Sequence, residues 1–118
     1  MKWKIYHNPK CSKSRECLSL LEKHKLELEV VEYLKFPPNV SSLNALAKKL
    51  GLQPRDIIRQ KEEIFSQLKL DLNNQNSLLA AIEQHPILLE RPIIEYKGKA
   101  VLGRPVDNLE KFLKEELD

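Results

Sequence analysis

The 118-residue sequence predicts an α/β fold built as β-α-β, a helical insertion and then β-β-α, with a mixed four-stranded sheet. Three observations lead there. A segment alternating in polarity, a segment of helical period and a β-branched segment follow one another at the N-terminus. A stretch of helix-forming composition fills the middle of the chain. Two short apolar runs separated by Lys97-Gly98-Lys99 precede a final amphipathic stretch.

Lys2 to Tyr6 alternates and carries aromatic and β-branched residues, which predicts a strand ended by Asn8-Pro9. Ser12 to about Lys25 is helical in period, with Cys17, Leu18, Leu20 and Leu21 apolar and Lys13, Glu16 and Glu22 facing water. Leu28 to Leu34 reads as a second strand. A helix between two strands makes a βαβ unit, so these strands are expected to be parallel with a right-handed crossover. After Pro37-Pro38, Ser41 or Ser42 is placed to cap a helix running to Leu50, with Gly51 at its C′ position. Pro54 opens another helix, and Asn76 or Ser77 caps a third that ends near Gln84. The insertion is thus about 39–85 within a single domain spanning 1–118. Ile93–Tyr96 and Ala100–Leu102 read as a hairpin, and Pro105 to Leu117 as a closing helix with Leu109, Phe112, Leu113 and Leu117 on one face.

Composition narrows the function. Twenty Lys+Arg against 17 Asp+Glu leave a net charge of +3, too even to argue for nucleic acid. No apolar run approaches the roughly 20 residues that span a bilayer, and the N-terminus enters a strand pattern without a signal-peptide apolar region. The expectation is a cytoplasmic protein with no membrane or nucleic-acid partner. With no apolar stripe left over after the core is assigned, a monomer is expected. Cys11 and Cys17 are the two cysteines. Their C-x5-C spacing, with His7, His24 and His85, matches no metal-ligand pattern, so no metal site is expected.

The chemistry concentrates at Cys11. It lies where the first strand meets its helix, and unpaired N–H groups at a helix start favour negative charge and lower a thiol pKa. Lys10, Lys13 and Arg15 add positive charge, and a protonated His7 four residues earlier would stabilise the thiolate further. Cysteine also serves as a small core hydrophobe, but the flanks Asn8 to Arg15 are not of core composition. Cys11 to Ser14 spells C-x-x-S, in which Ser14 offers a hydrogen bond but no second sulfur. Cys17, six helical residues on, rises about 9 Å and turns some 120° away from Cys11, whereas a disulfide needs Cα atoms within roughly 7 Å. Cys17 therefore reads as core, and a resolving thiol as external. Arg59, Arg91 and Arg104 offer planar forks suited to oxyanions. Arg59 has the alternative of pairing with Glu63 on a helix face, and Arg91 and Arg104 that of plain loop charges.

Several segments together resemble the glutaredoxin-coupled arsenate reductase (ArsC) family, in its compact subgroup. They are Ile5-Tyr6-His7-Asn8-Pro9-Lys10-Cys11-Ser12-Lys13-Ser14-Arg15, Tyr33-Leu34 with Pro37-Pro38, Arg55-Asp56-Ile57-Ile58-Arg59, His85-Pro86-Ile87-Leu88-Leu89-Glu90-Arg91-Pro92-Ile93 and Leu102-Gly103-Arg104-Pro105. The resemblance covers nearly the whole chain in order. It implies a thioredoxin-like fold with a helical insertion. It implies Cys11 as the nucleophile toward arsenate or a related oxyanion, assisted by His7 and Ser14. Arg59, Arg91 and Arg104, with Ser12 and Arg15, are implied to bind the substrate, and Pro92 to be the cis-proline beside the cysteine. It further implies glutathione as reductant and glutaredoxin as partner, with no bound cofactor. The alternatives are a glutathione-dependent thiol–disulfide exchange protein and a non-catalytic Spx-type transcriptional regulator. Regulators of that type usually carry C-x-x-C, and Ser14 argues against that switch.

Overall fold

The computed structural model describes residues 2–117. It divides into two compact units: Met1–Tyr33 with Arg91–Asp118, and Leu34–Glu90.

In the first unit, β1 (Trp3–Tyr6), α1 (Ser12–Lys23) and β2 (Leu28–Val31) form the expected parallel βαβ unit. The hairpin strands β3 (Ile93–Tyr96) and β4 (Lys99–Leu102) add antiparallel to β1, giving the sheet order β2-β1-β3-β4. The strands are four residues each. The second is shorter than its apolar run because the chain turns after Val31. Lys97 (φ 50°) and Gly98 (φ 76°) form the two-residue hairpin loop, which requires left-handed backbone at both positions. A final helix, which we number α6 in chain order, spans Asp107–Leu117.

Register decides what the helices cover. Trp3 pairs with Leu28, and Ile5 faces both Val30 and Ile94. Trp3, Ile5 and Ile94 form one core with Cys17 and Leu21 of α1 and with Leu109, Phe112 and Leu113 of α6. Trp3 stacks on Tyr96, ring centroids 4.2 Å apart, and meets the edge of Phe112 at 5.3 Å. Ser14, Cys17 and Leu21, at i, i+3 and i+7, are the buried face of α1.

The second unit holds α2 (Val40–Leu50), α3 (Pro54–Ile57), α4 (Glu63–Leu68) and α5 (Gln75–Gln84), then a 3₁₀ turn at Pro86–Leu88. Two caps fall earlier than the serines suggest. Asn39 Oδ1 accepts the Ser42 N–H, and Asn74 Oδ1 accepts the Ser77 N–H. Each expected serine cap is instead in the first turn, where its N–H needs an acceptor. Gly51, at φ 70°, donates to Lys48 O while Leu52 donates to Ala47 O, which closes α2 as a Schellman motif. The helix opened by Pro54 lasts one turn because Ile58 becomes extended and bridges Leu89. The Arg59 N–H donates to Leu88 O at 2.7 Å and the Glu90 N–H to Ile57 O at 2.9 Å.

Phe112 is 4 % exposed and closes the Trp3 side of the first unit's core. Phe112→Ala is expected to cost about 3–5 kcal/mol, read as a lower denaturant midpoint with an unchanged slope.

Candidate functional site

The loop from β1 into α1 is fixed by its own hydrogen bonds. His7 N–H donates to Val31 O at 2.8 Å, carrying the sheet pairing one step beyond β1. Asn8 then holds the turn three ways. Its main-chain oxygen accepts the Cys11 N–H at 3.0 Å, its Oδ1 accepts the Lys10 N–H at 3.0 Å, and its own N–H donates to Ser14 Oγ at 3.0 Å. Asn followed by Pro suits the first two positions of such a turn. The sequence reading took Asn8-Pro9 only as a strand breaker and missed Asn8 as a structural support of the site.

This turn sets Cys11 at the N-cap of α1, with extended backbone (φ −97°, ψ 121°). Burial opposes ionisation of its thiol. The main-chain N–H of Ser14, the Arg91 side chain and the N–H of Lys13 outweigh that burial, so the Cys11 pKa is lowered. Arg104 Nη2 lies 3.4 Å from the sulfur. Two helix-start amides and two guanidinium groups therefore converge on one half-buried sulfur.

Ser14 and His7 act differently from expectation. The Ser14 hydroxyl is taken by the Asn8 N–H and by His7 Nδ1, 2.6 Å away, and Ser14 reaches the sulfur through its main-chain N–H instead. His7 is buried. Burial lowers its pKa, and Arg15 adds to this, against the opposing pull of Glu32 and Glu22. The shift runs away from the protonated form that the sequence expectation invoked. In the tautomer with its proton on Nε2, His7 Nδ1 accepts the Ser14 hydroxyl, so it steadies the residue whose amide faces the sulfur.

Arg15 donates from Nη1 to Pro9 O at 2.8 Å and so braces the loop from outside, while Ser12 is exposed at the first position of α1. Arg59 belongs to the second unit, where Nη2 lies 3.3 Å from Glu62 and Nη1 3.3 Å from Glu90. Its carboxylate neighbour on the chain is thus Glu62 at i+3, not Glu63.

Arg91 and Arg104 each precede a cis-proline, Pro92 as expected and Pro105 in addition. The two segments are joined by the Gly103 N–H, which donates to Pro92 O at 2.9 Å. A Cβ at Gly103 would stand 2.6 Å from Cys17 Sγ, 2.8 Å from Pro92 Cγ and 2.9 Å from Ile94 Cδ1. Cys17 is fully buried, donates to Gly103 O at 3.2 Å, and burial beside Glu16 and Cys11 pushes its pKa up to about 11.

The ArsC family model matches residues 6–112, which contain every one of these groups. This chain belongs to the ArsC family. It is 50% identical over 113 residues to an arsenate reductase of Neisseria meningitidis, covering 93% of this chain and 97% of that one. It is 42% identical over 112 residues to an arsenate reductase of Haemophilus influenzae, covering 92% and 97%. The solved arsenate reductase of Vibrio cholerae superimposes with a TM-score of 0.85 at 44% identity, covering 93% of this chain and 97% of that one. The ArsC fold is thioredoxin-like, as the resemblance implied.

Two outcomes follow from the geometry. Alkylation of Cys11 is expected to rise with pH through a midpoint below 9.0, while Cys17 reacts only as pH nears about 11. Near neutral pH, mass spectrometry should find Cys11 labelled at least about a hundredfold faster than Cys17. Gly103→Ala is expected to destabilise the protein by about 1–3 kcal/mol through overpacking, measured by thermal unfolding.

Proposed function

We propose that this protein reduces arsenate, with Cys11 as the nucleophile and glutathione and glutaredoxin supplying the electrons. The observation that carries the proposal is the convergence of Arg91, Arg104 and two α1 amides on the Cys11 sulfur. Its relatives from Neisseria meningitidis and Haemophilus influenzae, named arsenate reductases, support the choice of oxyanion.

In this reading the guanidinium groups hold arsenate oxygens in charge-assisted hydrogen bonds beside the thiolate. Cys11 attacks arsenic, a sulfur–arsenic bond forms, and a protonated oxygen leaves as water. The arginines stabilise the oxygens as charge redistributes. A glutathione thiolate then attacks the Cys11 sulfur. The sulfur–arsenic electron pair stays on arsenic, which departs reduced as arsenite, and Cys11 is left as a mixed disulfide with glutathione. Glutaredoxin removes that glutathione by thiol–disulfide exchange. Arg59 and Ser12 enter the proposal from the sequence reading, as do the cytoplasmic location and the monomeric state.

Arsenate reduction coupled to glutathione and glutaredoxin is the test. Wild type and Cys17→Ser are expected to turn over and Cys11→Ser to be inactive. Arg104→Ala should lower kcat/KM about tenfold or more, the effect of losing a hydrogen bond from a charged group. A wild type that leaves arsenate untouched while Cys11 alkylates rapidly at neutral pH overturns this reading.

A further inference from the structure

The donors around Cys11 favour negative charge on the sulfur itself. The Lys13 and Ser14 amides, Arg91 and Arg104 all address Sγ. A thiolate held in this way is a nucleophile toward divalent sulfur as well as toward an oxyanion centre, and taking up a sulfur atom leaves it as a persulfide. The chain has no thiol placed to discharge such a group. Cys17, its one other cysteine, is fully buried, donates to Gly103 O and stays protonated at neutral pH. The Ser14 hydroxyl is held by Asn8 and His7. The arginines make an oxyanion seat, and thiosulfate is a tetrahedral dianion like arsenate. Unlike sulfate or phosphate, it carries an outer sulfur that a thiolate can attack.

We propose that Cys11 also takes the outer sulfur of thiosulfate and passes it to an external thiol, a second activity of this site that rests on reading Cys11 as nucleophile and Arg91 and Arg104 as oxyanion ligands. In the first step the Cys11 thiolate attacks the outer sulfur. A sulfur–sulfur bond forms on Cys11, the sulfur–sulfur bond of thiosulfate breaks, and sulfite leaves with the electron pair. The arginines stabilise the charge that gathers on the sulfite oxygens. In the second step a glutathione thiolate attacks the outer sulfur of the persulfide, forming glutathione persulfide and returning the Cys11 thiolate. Two thiolate displacements transfer one sulfur atom with no net oxidation or reduction, so no further reactant is needed.

The experiment incubates the reduced full-length protein with thiosulfate alone, follows intact mass and measures released sulfite. Wild type and Cys17→Ser are expected to gain the mass of one sulfur atom with equimolar sulfite, and Cys11→Ser to gain none. Added glutathione should then remove the sulfur and yield glutathione persulfide. Arg104→Ala should slow sulfur loading about tenfold or more relative to alkylation of Cys11 by iodoacetamide, a neutral electrophile that needs no oxyanion seat. A wild type that neither gains sulfur nor releases sulfite overturns the proposal, and so does a bound sulfur that glutathione cannot remove. Equal slowing of loading and alkylation in Arg104→Ala overturns the oxyanion seat. Arsenate reduction assayed on the same preparation separates this failure from failure of the arsenate reading.

Discussion

The site depends on holding Cys11 at the N-cap of α1, where its sulfur meets amides that the helix itself cannot pair. Helix starts leave such N–H groups unsatisfied, and most proteins fill them with a serine, threonine or carboxylate oxygen. A sulfur in that place is both acceptor and nucleophile. No serine, threonine or carboxylate oxygen takes that place in α1, so the Lys13 and Ser14 amides are left to act on the thiol. The stabilisation depends on direction as well as charge, and a turn that swung by an ångström would aim the amides past the sulfur. That explains the density of bonds through Asn8, which ties Lys10, Cys11 and Ser14 to one buried side chain and its backbone.

The second half of the site comes from far along the chain. Arg91 and Arg104 flank the hairpin of β3 and β4, and β3 pairs with β1, the strand that delivers Cys11. The antiparallel register Tyr6 to Ile93 and Ile93 to Leu102 brings these loops to the same end of the sheet. Gly103 lets the two arginine segments close up, since any side chain there would enter the space of Cys17, Pro92 and Ile94. The arginines thus approach the sulfur because the sheet register puts them there and a glycine allows the contact.

Periodicity and turn chemistry carried most of the fold. The βαβ unit, the hairpin and the closing helix were legible because each has a strong local pattern, and the position of Cys11 followed from where a strand pattern met a helical one. Boundaries in the insertion were less legible. The caps at Asn39 and Asn74 compete with nearby serines of similar propensity, and only the three-dimensional direction of Oδ1 decides between them. The turn at Pro54 ended early because Ile58 found a partner in Leu89, 31 positions away, which no local window contains. The surroundings of His7 were illegible for a related reason. Sequence placed it four residues from the cysteine, but its burial and its contact with Ser14 belong to the folded loop.

The two cysteines show how one helix gives the same atom opposite duties. At the N-cap, the Cys11 sulfur accepts hydrogen bonds and its pKa falls. Six residues on, the Cys17 sulfur faces the core, donates its proton to a carbonyl and has its pKa pushed up to about 11. Neither state comes from the residue type. One sulfur meets the positive end of the helix and the other meets apolar side chains and a carbonyl oxygen. This contrast also sets the limits of the chemistry. Cys17 has no thiolate to offer at neutral pH, so the proposed reaction takes its resolving thiol from solution. A dithiol protein could oxidise itself and release product alone. In the proposed reaction the chain supplies the nucleophile and the oxyanion ligands, and an external thiol supplies the electrons.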